Sequence, residues 1–491
     1  MALSVTNTLT GEREPFEPQD PDSVLLYFCG LTVSDHAHLG HARAWVHVDV
    51  MARWLDHLGY SVRHVENFTD VNEKIVARVG EVGPDEASVA RTFLGSIIED
   101  MRSLNLRRAD VYPRVSEHVP EILALIEQLL DDGHAYESNG SVYFDVTTFP
   151  EYGTLSGQNV EEMEAQGPED ERAEKRHPQD FALWKAGSAD PEAVASHRDD
   201  DRPVEAGGQT WEAPWGEGRP GWHIECSAMS MAHLDETIDL HVGGRDLVFP
   251  HHENEIAQSE AATGEPFVSY WLHVDLLETE GEKMSSSLAN YFTVKNAVRE
   301  LGANVVRMFL LSAQYRQTQT YSEETVGEAE RRWDRLDRAY DRAVAALDSE
   351  WAHTKVEDER LRAAVRTARE DFRTAMNDDF NTREALAALL ELTSATNEHV
   401  DGADRYDYAG LKDAVETIEA LGGRVLGFAF GESSPTGEVS LAEELIETVL
   451  AIREERREAG DYETADDIRD RLEALGVEVQ DTDDGPTYRL T

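Results

Sequence analysis

Between Val24 and Val65 the chain changes its hydrophobic period twice, and that pattern limits what it can fold into. Val24–Cys29 (VLLYFC) is a short continuous apolar run ending at Gly30, as expected for a buried strand of a parallel sheet. A polar loop, LTVSDHAHLGH, follows. Trp45, Val48, Met51 and Leu55 then recur at helical spacing, with Gly59 as the stop. Tyr60–Val65 (YSVRHV) alternates and reads as the next strand. Strand, loop, helix and strand in this order predict a βαβ unit. The N-terminus of its helix and the loop before it form a natural phosphate site.

One such unit cannot account for 491 residues, which leave room for about three domains because a single core seldom exceeds about 250 to 300 residues. With 40% hydrophobic and 29% charged residues, and no apolar run near the roughly 18 residues that span a bilayer, a globular chain with no membrane partner is expected. The opening MALSVTNTLTGEREPFEPQD lacks the basic-then-apolar order of a signal peptide, so a cytoplasmic location is expected. Lys and Arg total 45 against 98 Asp and Glu, a formal charge of -53. In dilute buffer that charge repels a polyanion. The imbalance runs the whole length, as in an adaptation to a very salty cytoplasm, where a Debye length of about 3 Å at 1 M screens the repulsion. Acidic disordered tails fit less well, because apolar periodicity persists along most of the chain.

From about 159 to 217 periodicity is lost and Gly, Pro, Asp and Glu accumulate, which reads as a connective insertion. TIDLHVGG at 237–244 returns to the sheet, and after about 320 the pattern is almost wholly helical. The break GESSPTGEVS at 431–440 sets off a small C-terminal unit.

Three motifs carry chemistry. His38-Leu39-Gly40-His41 lies at the mouth of the predicted helix, where imidazole N–H groups and helix-terminal amides can hold phosphates and Gly40 admits a flat base. Alone, two loop histidines are more often incidental. Glu282-Lys283-Met284-Ser285-Ser286-Ser287 can close on phosphates with a lysine and hydroxyls, though in isolation it is a solvated Ser-rich turn. In Phe249-Pro250-His251-His252-Glu253-Asn254-Glu255, a helix opened by Pro250 places His251 and Glu255 on one face, half of a metal site. The only cysteines, Cys29 and Cys226, read alone either as buried thiols or as the other half.

The runs YFCGLTVSDHAHLGHAR, NFTDVNEKI, PWGEGRPGWHIECSAM, HVGGRDLVFPHHENEIAQSE and EKMSSSLANYFTV resemble the successive signatures of cysteinyl-tRNA synthetases, in that family's order and over essentially the full chain. HLGH and EKMSSS are similar to the HIGH and KMSKS signatures of class I aminoacyl-tRNA synthetases. The resemblance implies an α/β fold: a Rossmann-like class I catalytic domain with a connective insertion, an α-helical bundle and a small C-terminal domain. The expected divisions are 1–125 and 218–265 for the two catalytic halves and 126–217 for the insertion. A stem-contact region with the KMSSS loop follows at 266–325, a helical bundle at 326–430 and an anticodon-binding domain at 437–491.

Residue by residue, the resemblance implies zinc ligands at Cys29, Cys226, His251 and Glu255, and a cysteine pocket at Gly30, Thr69, Trp222 and His223. It implies ATP contacts at His38, Gly40, His41 and Lys283, with Asp246 on the ribose, and catalytic roles for His38, His41 and Lys283. Arg457, Tyr462 and Asp466 match anticodon-reading positions. The implied activity is ligation of L-cysteine to tRNA(Cys) with Mg-ATP, by a monomer that carries one zinc. Two departures stand out: Ser286 replaces the second lysine of KMSKS, and Ala289 replaces a glycine. The rivals are a ligase that transfers cysteine to an amino-sugar, which would lack the C-terminal module, and a non-catalytic tRNA-binding paralogue, raised by Ser286.

Overall fold

The computed structural model describes residues 2–159, 173–198, 207–279, 282–283 and 292–431, helical positions between 446 and 472, and strands 477–482 and 485–490. Two compact units divide between Phe430 and Gly431. In the first, the apolar run forms β1 (Ser23–Phe28), followed by α1 (Leu39–His57) and β2 (Ser61–Glu66), the βαβ unit that the periodicity predicts. Later, α2 (Trp222–His233), β3 (Ile238–Gly244), α3 (Glu253–Thr263) and β4 (Val268–Val274) return to the same sheet. All four strands are parallel, in the order β4–β3–β1–β2. The chain leaves β1 toward one edge and re-enters on the other side through β3. Such a reversal opens a crevice beyond the C-terminal ends of β1 and β3.

The connecting region folds as an antiparallel sheet of its own, Ala135–Ser138, Ser141–Phe144, Phe181–Ala186 and Gly218–Pro220 in spatial order. The third of these lies inside the stretch read as aperiodic. Its buried run FALW (181–184) is too short to display a period between polar flanks. Pro250 does not open a regular helix either. α3 begins at Glu253, and the wider turn 248–252 precedes it, with Phe249 extended at φ -136, ψ 134. Crowding by the proline ring drives the preceding residue out of the helical region.

Helices α4 (Glu323–Leu347), α5 (Glu359–Asn377), α6 (Thr382–Gly402) and α7 (Tyr408–Thr417) form the expected helical region. Trp333, Leu336, Phe372 and Leu389 share one continuous apolar core with Leu26 and Val242 of the sheet. Most of α1 is therefore covered, from the sheet side and from the helical side. Arg43, His47 and Asp49 are buried along with its apolar stripe. The second unit carries the antiparallel hairpin Val477–Thr482/Gly485–Leu490 and a small core of Leu450, Leu472 and Val477. Among the described residues, no helix is long and apolar enough to cross a membrane.

Glu66, at the end of β2, shows what such burial does to an acid. Its carboxyl is 3% exposed, and burial raises its pKa from 4.5 to about 8, against the Trp45 Nε1–H that donates to Oε1 at 2.9 Å. The folded chain thus binds a proton that the unfolded chain has lost between these two values. Stability from this group is complete below about pH 4.5 and is lost as pH rises through about 8. Glu66→Gln keeps the acceptor for Trp45 and removes the titration. Urea unfolding is expected to give similar stabilities for parent and variant near the acid end. Above about pH 8 the variant is expected to be more stable, by a few kcal/mol. Parallel stability curves across that range would show that Glu66 does not set the slope.

Candidate active site and metal centre

Cys29 follows β1 directly, with its N–H on the carbonyl of Val242 in β3 at 3.0 Å. Cys226 lies one turn into α2, and His251 and Glu255 belong to the turn and helix that follow β3. The fold gathers all four at the crevice. The sulfurs are 3.8 Å apart, each is 3.5 Å from His251 Nε2, and that nitrogen is 3.0 Å from Glu255 Oε1. None of the four is more than 7% exposed.

These distances test the chemistry of the set. Around zinc, with bonds of about 2.3 Å to sulfur and 2.05 Å to nitrogen, tetrahedral edges are about 3.8 Å between sulfurs and 3.5 Å between sulfur and nitrogen. The sulfur–sulfur and sulfur–nitrogen edges agree; the His251–Glu255 edge is shorter than the roughly 3.4 Å of a regular tetrahedron. Glu255 Oε1 is buried facing His251 Nε2, and His251 Nδ1 lies 2.9 Å from His223 Nδ1, which turns Nε2 toward the sulfurs. A cation among them would let the two sulfurs and the carboxylate be buried as anions. Two thiols, an imidazole and a carboxylate suit zinc better than the all-oxygen shells of magnesium or calcium.

The titration behaviour follows from the same proximity. Burial raises Glu255, but the imidazoles of His241 and His251 overcome this and hold it at about 2. Burial lowers His251, and the Glu255 carboxylate outweighs it and carries the imidazole to about 10. The Cys226 thiol is pushed well up by its hydrogen bond with Cys29 and by burial. For Cys29, the bond with Cys226 favours the thiolate, but burial and Glu255 together raise the thiol. A cation must therefore displace protons from both sulfurs, and acid opposes its binding.

At the mouth of α1, His38 and His41 stack with ring centroids 3.6 Å apart. His38 N donates to His41 Nδ1 at 3.3 Å and His41 N to His38 Nδ1 at 3.4 Å, a reciprocal cap. With each Nδ1 accepting, each neutral ring carries its proton on Nε2. Leu39 N donates to Phe292 O at 3.0 Å and Val294 N to Ala37 O at 2.9 Å, so this motif is bound to the chain just after 291. Lys283 lies in a short strand, Glu282–Lys283, paired with Glu278 and Thr279.

Of the expected pocket residues, Gly30 donates its N–H to Asn67 Oδ1 at 2.9 Å, and an added Cβ would sit 1.7 Å from the Asn67 carbonyl oxygen. Thr69 is buried, with Oγ1 3.4 Å from Glu225 Oε2. Trp222 is 39% exposed and lies over His251 at 4.2 Å between centroids. His223 backs His251 through the Nδ1 contact, a place its sequence position does not reveal. Asp246 is exposed on the turn after β3. Arg457 is half-buried in the second unit; Tyr462 and Asp466 lie outside the described residues, as do Ser286 and Ala289. Sequence reasoning missed the buried imidazoles behind the centre. His241 Nε2 is 2.9 Å from Glu255 Oε2, and His252 Nδ1 is 2.8 Å from His273 Nε2. His241 lies within an alternating strand pattern, where it reads as an ordinary sheet position.

Comparison with known proteins shows which family the chain resembles. Residues 15–331 match the class I (C) tRNA synthetase catalytic domain, 371–431 the DALR domain, and 442–489 the cysteinyl-tRNA ligase anticodon binding domain. The cysteine–tRNA ligase of Haloarcula marismortui is 68% identical, with 100% of both chains covered. The chain belongs to the cysteine–tRNA ligase family. Other cysteine–tRNA ligases extend the match: that of Halobacterium salinarum is 65% identical over 100% of both chains. That of Thermococcus onnurineus is 42% identical over 100% of this chain and 99% of its own. The fold is similar to methionyl-tRNA synthetase of Mycobacterium tuberculosis, with a TM-score of 0.59 at 16% identity over 82% of this chain and 89% of the other. A leucyl synthetase from Agrobacterium radiobacter gives 0.58 at 12% identity, over 84% and 85%. The chain itself joins a class I synthetase catalytic domain to a helical region that follows the catalytic sheet.

Proposed function

We propose that this chain activates L-cysteine with Mg-ATP and transfers it to the terminal adenosine of tRNA(Cys), with zinc held by Cys29, Cys226, His251 and Glu255. One observation carries the reading: the four buried donors converge at the end of the strand that feeds the HLGH loop. When bound, zinc supplies a soft Lewis acid that takes a thiolate in preference to the hydroxyl of serine, a distinction a hydrophobic pocket draws only weakly. Gly30, Thr69, Trp222 and His223 would complete the pocket, and His223 orients the His251 ring through Nδ1.

Activation needs no protein nucleophile. The cysteine carboxylate attacks the α-phosphorus of ATP in line, and pyrophosphate leaves. His38 and His41 present Nε2–H donors, which with the amides opening α1 suit a triphosphate; Gly40 leaves room for the base and Asp246 contacts the ribose. Lys283 counters the charge on the departing pyrophosphate. Ser286 adds no charge where the family signature has a second lysine, so that burden rests on Lys283 and the magnesium of the substrate. A ribose hydroxyl of the tRNA, the 2′-OH as is typical of class I enzymes, then attacks the activated carbonyl. Arg457, Tyr462 and Asp466 are the positions assigned to the anticodon.

The test is ATP–pyrophosphate exchange with cysteine and with serine, followed by charging of tRNA. Exchange with cysteine and not serine, and then charging, is the expected result. Exchange without charging would point to a small amine acceptor, and no exchange at all to a non-catalytic chain.

A further inference from the structure

We infer that Arg43 is a positioning residue that sets the register between the HLGH motif and the hairpin carrying Lys283. The inference rests on the ligase reading above. Arg43 lies on α1 two residues beyond His41 and is fully buried. Its Nε donates to the carbonyl of Asp275 at 3.0 Å, its Nη2 to those of Gln314 (3.1 Å) and Gln317, and its Nη1 to Oε1 of Gln319. These acceptors surround one small sheet. Leu277–Thr279 pairs in parallel with Gln319–Tyr321 and antiparallel with Glu282–Lys283, which sets Glu278 opposite Lys283.

One side chain therefore holds the entries of the central strand, on which the Lys283 strand is laid, and of the strand on its other edge. Asp275 lies just before the first of them, and Gln319 opens the second. The chain after 291 is held to the same motif by other means, the main-chain bonds between Ala37–Leu39 and Phe292–Val294. Main-chain bonds there survive side-chain substitution, whereas the polar link from α1 to the entry of the Lys283 segment is made by the Arg43 side chain. Burial lowers the guanidinium pKa to about 10, so it remains charged at neutral pH. A planar fork with five donors can serve three carbonyls and an amide at once; a lysine ammonium keeps the charge but has three donors about one point.

A purely structural arginine and a positioning one differ in how they couple to Lys283. Arg43→Lys and Gln319→Met would each be made alone and with Lys283→Ala, in the full-length zinc-loaded protein. Exchange kcat, KM for cysteine and ATP, zinc content and Tm would be read for all of them. Arg43→Lys is expected to lower kcat about 10²-fold, the scale of a displacement of about 1 Å. KM for cysteine and zinc content should stay within about twofold. In the Lys283→Ala background the same substitution should cost less than about threefold, because the group it positions is gone. Gln319→Met removes the acceptor for Arg43 Nη1 and the Nε2 donor to Phe309 O but no charge, and carries the cycle should Arg43→Lys fail to fold; about tenfold is expected. Equal costs in both backgrounds, or losses shared with cysteine KM and zinc content, would overturn the role of Arg43. Absence of cysteine-dependent exchange in the parent would instead overturn the ligase reading itself.

Discussion

Cys226→Ala is expected to leave the protein folded, zinc-free and almost without cysteine-dependent pyrophosphate exchange. Structural zinc sites supply roughly 10 to 16 kcal/mol through four ligands, so one ligand carries on the order of 3 kcal/mol, about 10²-fold in affinity. Cys226 exceeds that average share, because its loss also leaves His251 Nε2 without one of the two sulfurs it faces at 3.5 Å. The fold itself should survive. Cys226 is a small side chain on a helix whose Ile224 and Met229 remain in the core, and removing one sulfur opens little space. Glu255→Gln is the stricter companion, since it keeps shape and removes charge. Both variants should lose zinc by elemental analysis in step with exchange, while near-UV circular dichroism stays that of the parent. Retention of about one zinc per chain together with full exchange would refute the assignment of the centre.

The parts of this centre that were legible in the sequence are those set by local periodicity. β1, α1 and β2 were readable because a continuous apolar run, a helical stripe and an alternating run follow one another within one segment. His251 and Glu255 were readable as a pair because their spacing brings them to one face even across an irregular turn. The meeting of Cys29 with Cys226 was not, since it depends on β3 lying beside β1 and on the path of α2. Family resemblance supplied it. Arg43, Asp49 and Arg307 were also illegible. A charged residue on a helix ordinarily faces water, and only the covering of α1 from both sides turns these inward.

That covering brings the largest expected effect on stability, from Asp49→Ala. Arg307 is fully buried; its Nη2 donates to Asp49 Oδ2 at 2.7 Å, its Nη1 to Leu104 O at 2.8 Å and its Nε to Leu426 O at 3.0 Å. Gly427 is required beside it, at φ +75, since a Cβ there would lie 2.1 Å from Nη2. Asp49 in turn accepts from Arg53 Nε and Arg107 N through Oδ1. Alanine at 49 leaves a guanidinium in the core without its counter-charge, which costs about 3 to 5 kcal/mol. Replacing both partners, as Asp49→Leu with Arg307→Met, should restore much of this. It should not restore all, because the carbonyls of Leu104 and Leu426 lose their donor, at about 1 to 3 kcal/mol each. Salt separates this pair from the surface. A chain of charge -53 is expected to gain stability as KCl screens its self-repulsion, whereas the buried pair is shielded from ions. Thermal unfolding from low to molar KCl should therefore raise Tm for parent and Asp49→Ala alike, with the gap between them unchanged. A gap that closes with salt would place Asp49 among the screened surface charges and remove it from the buried link between α1 and the helical region.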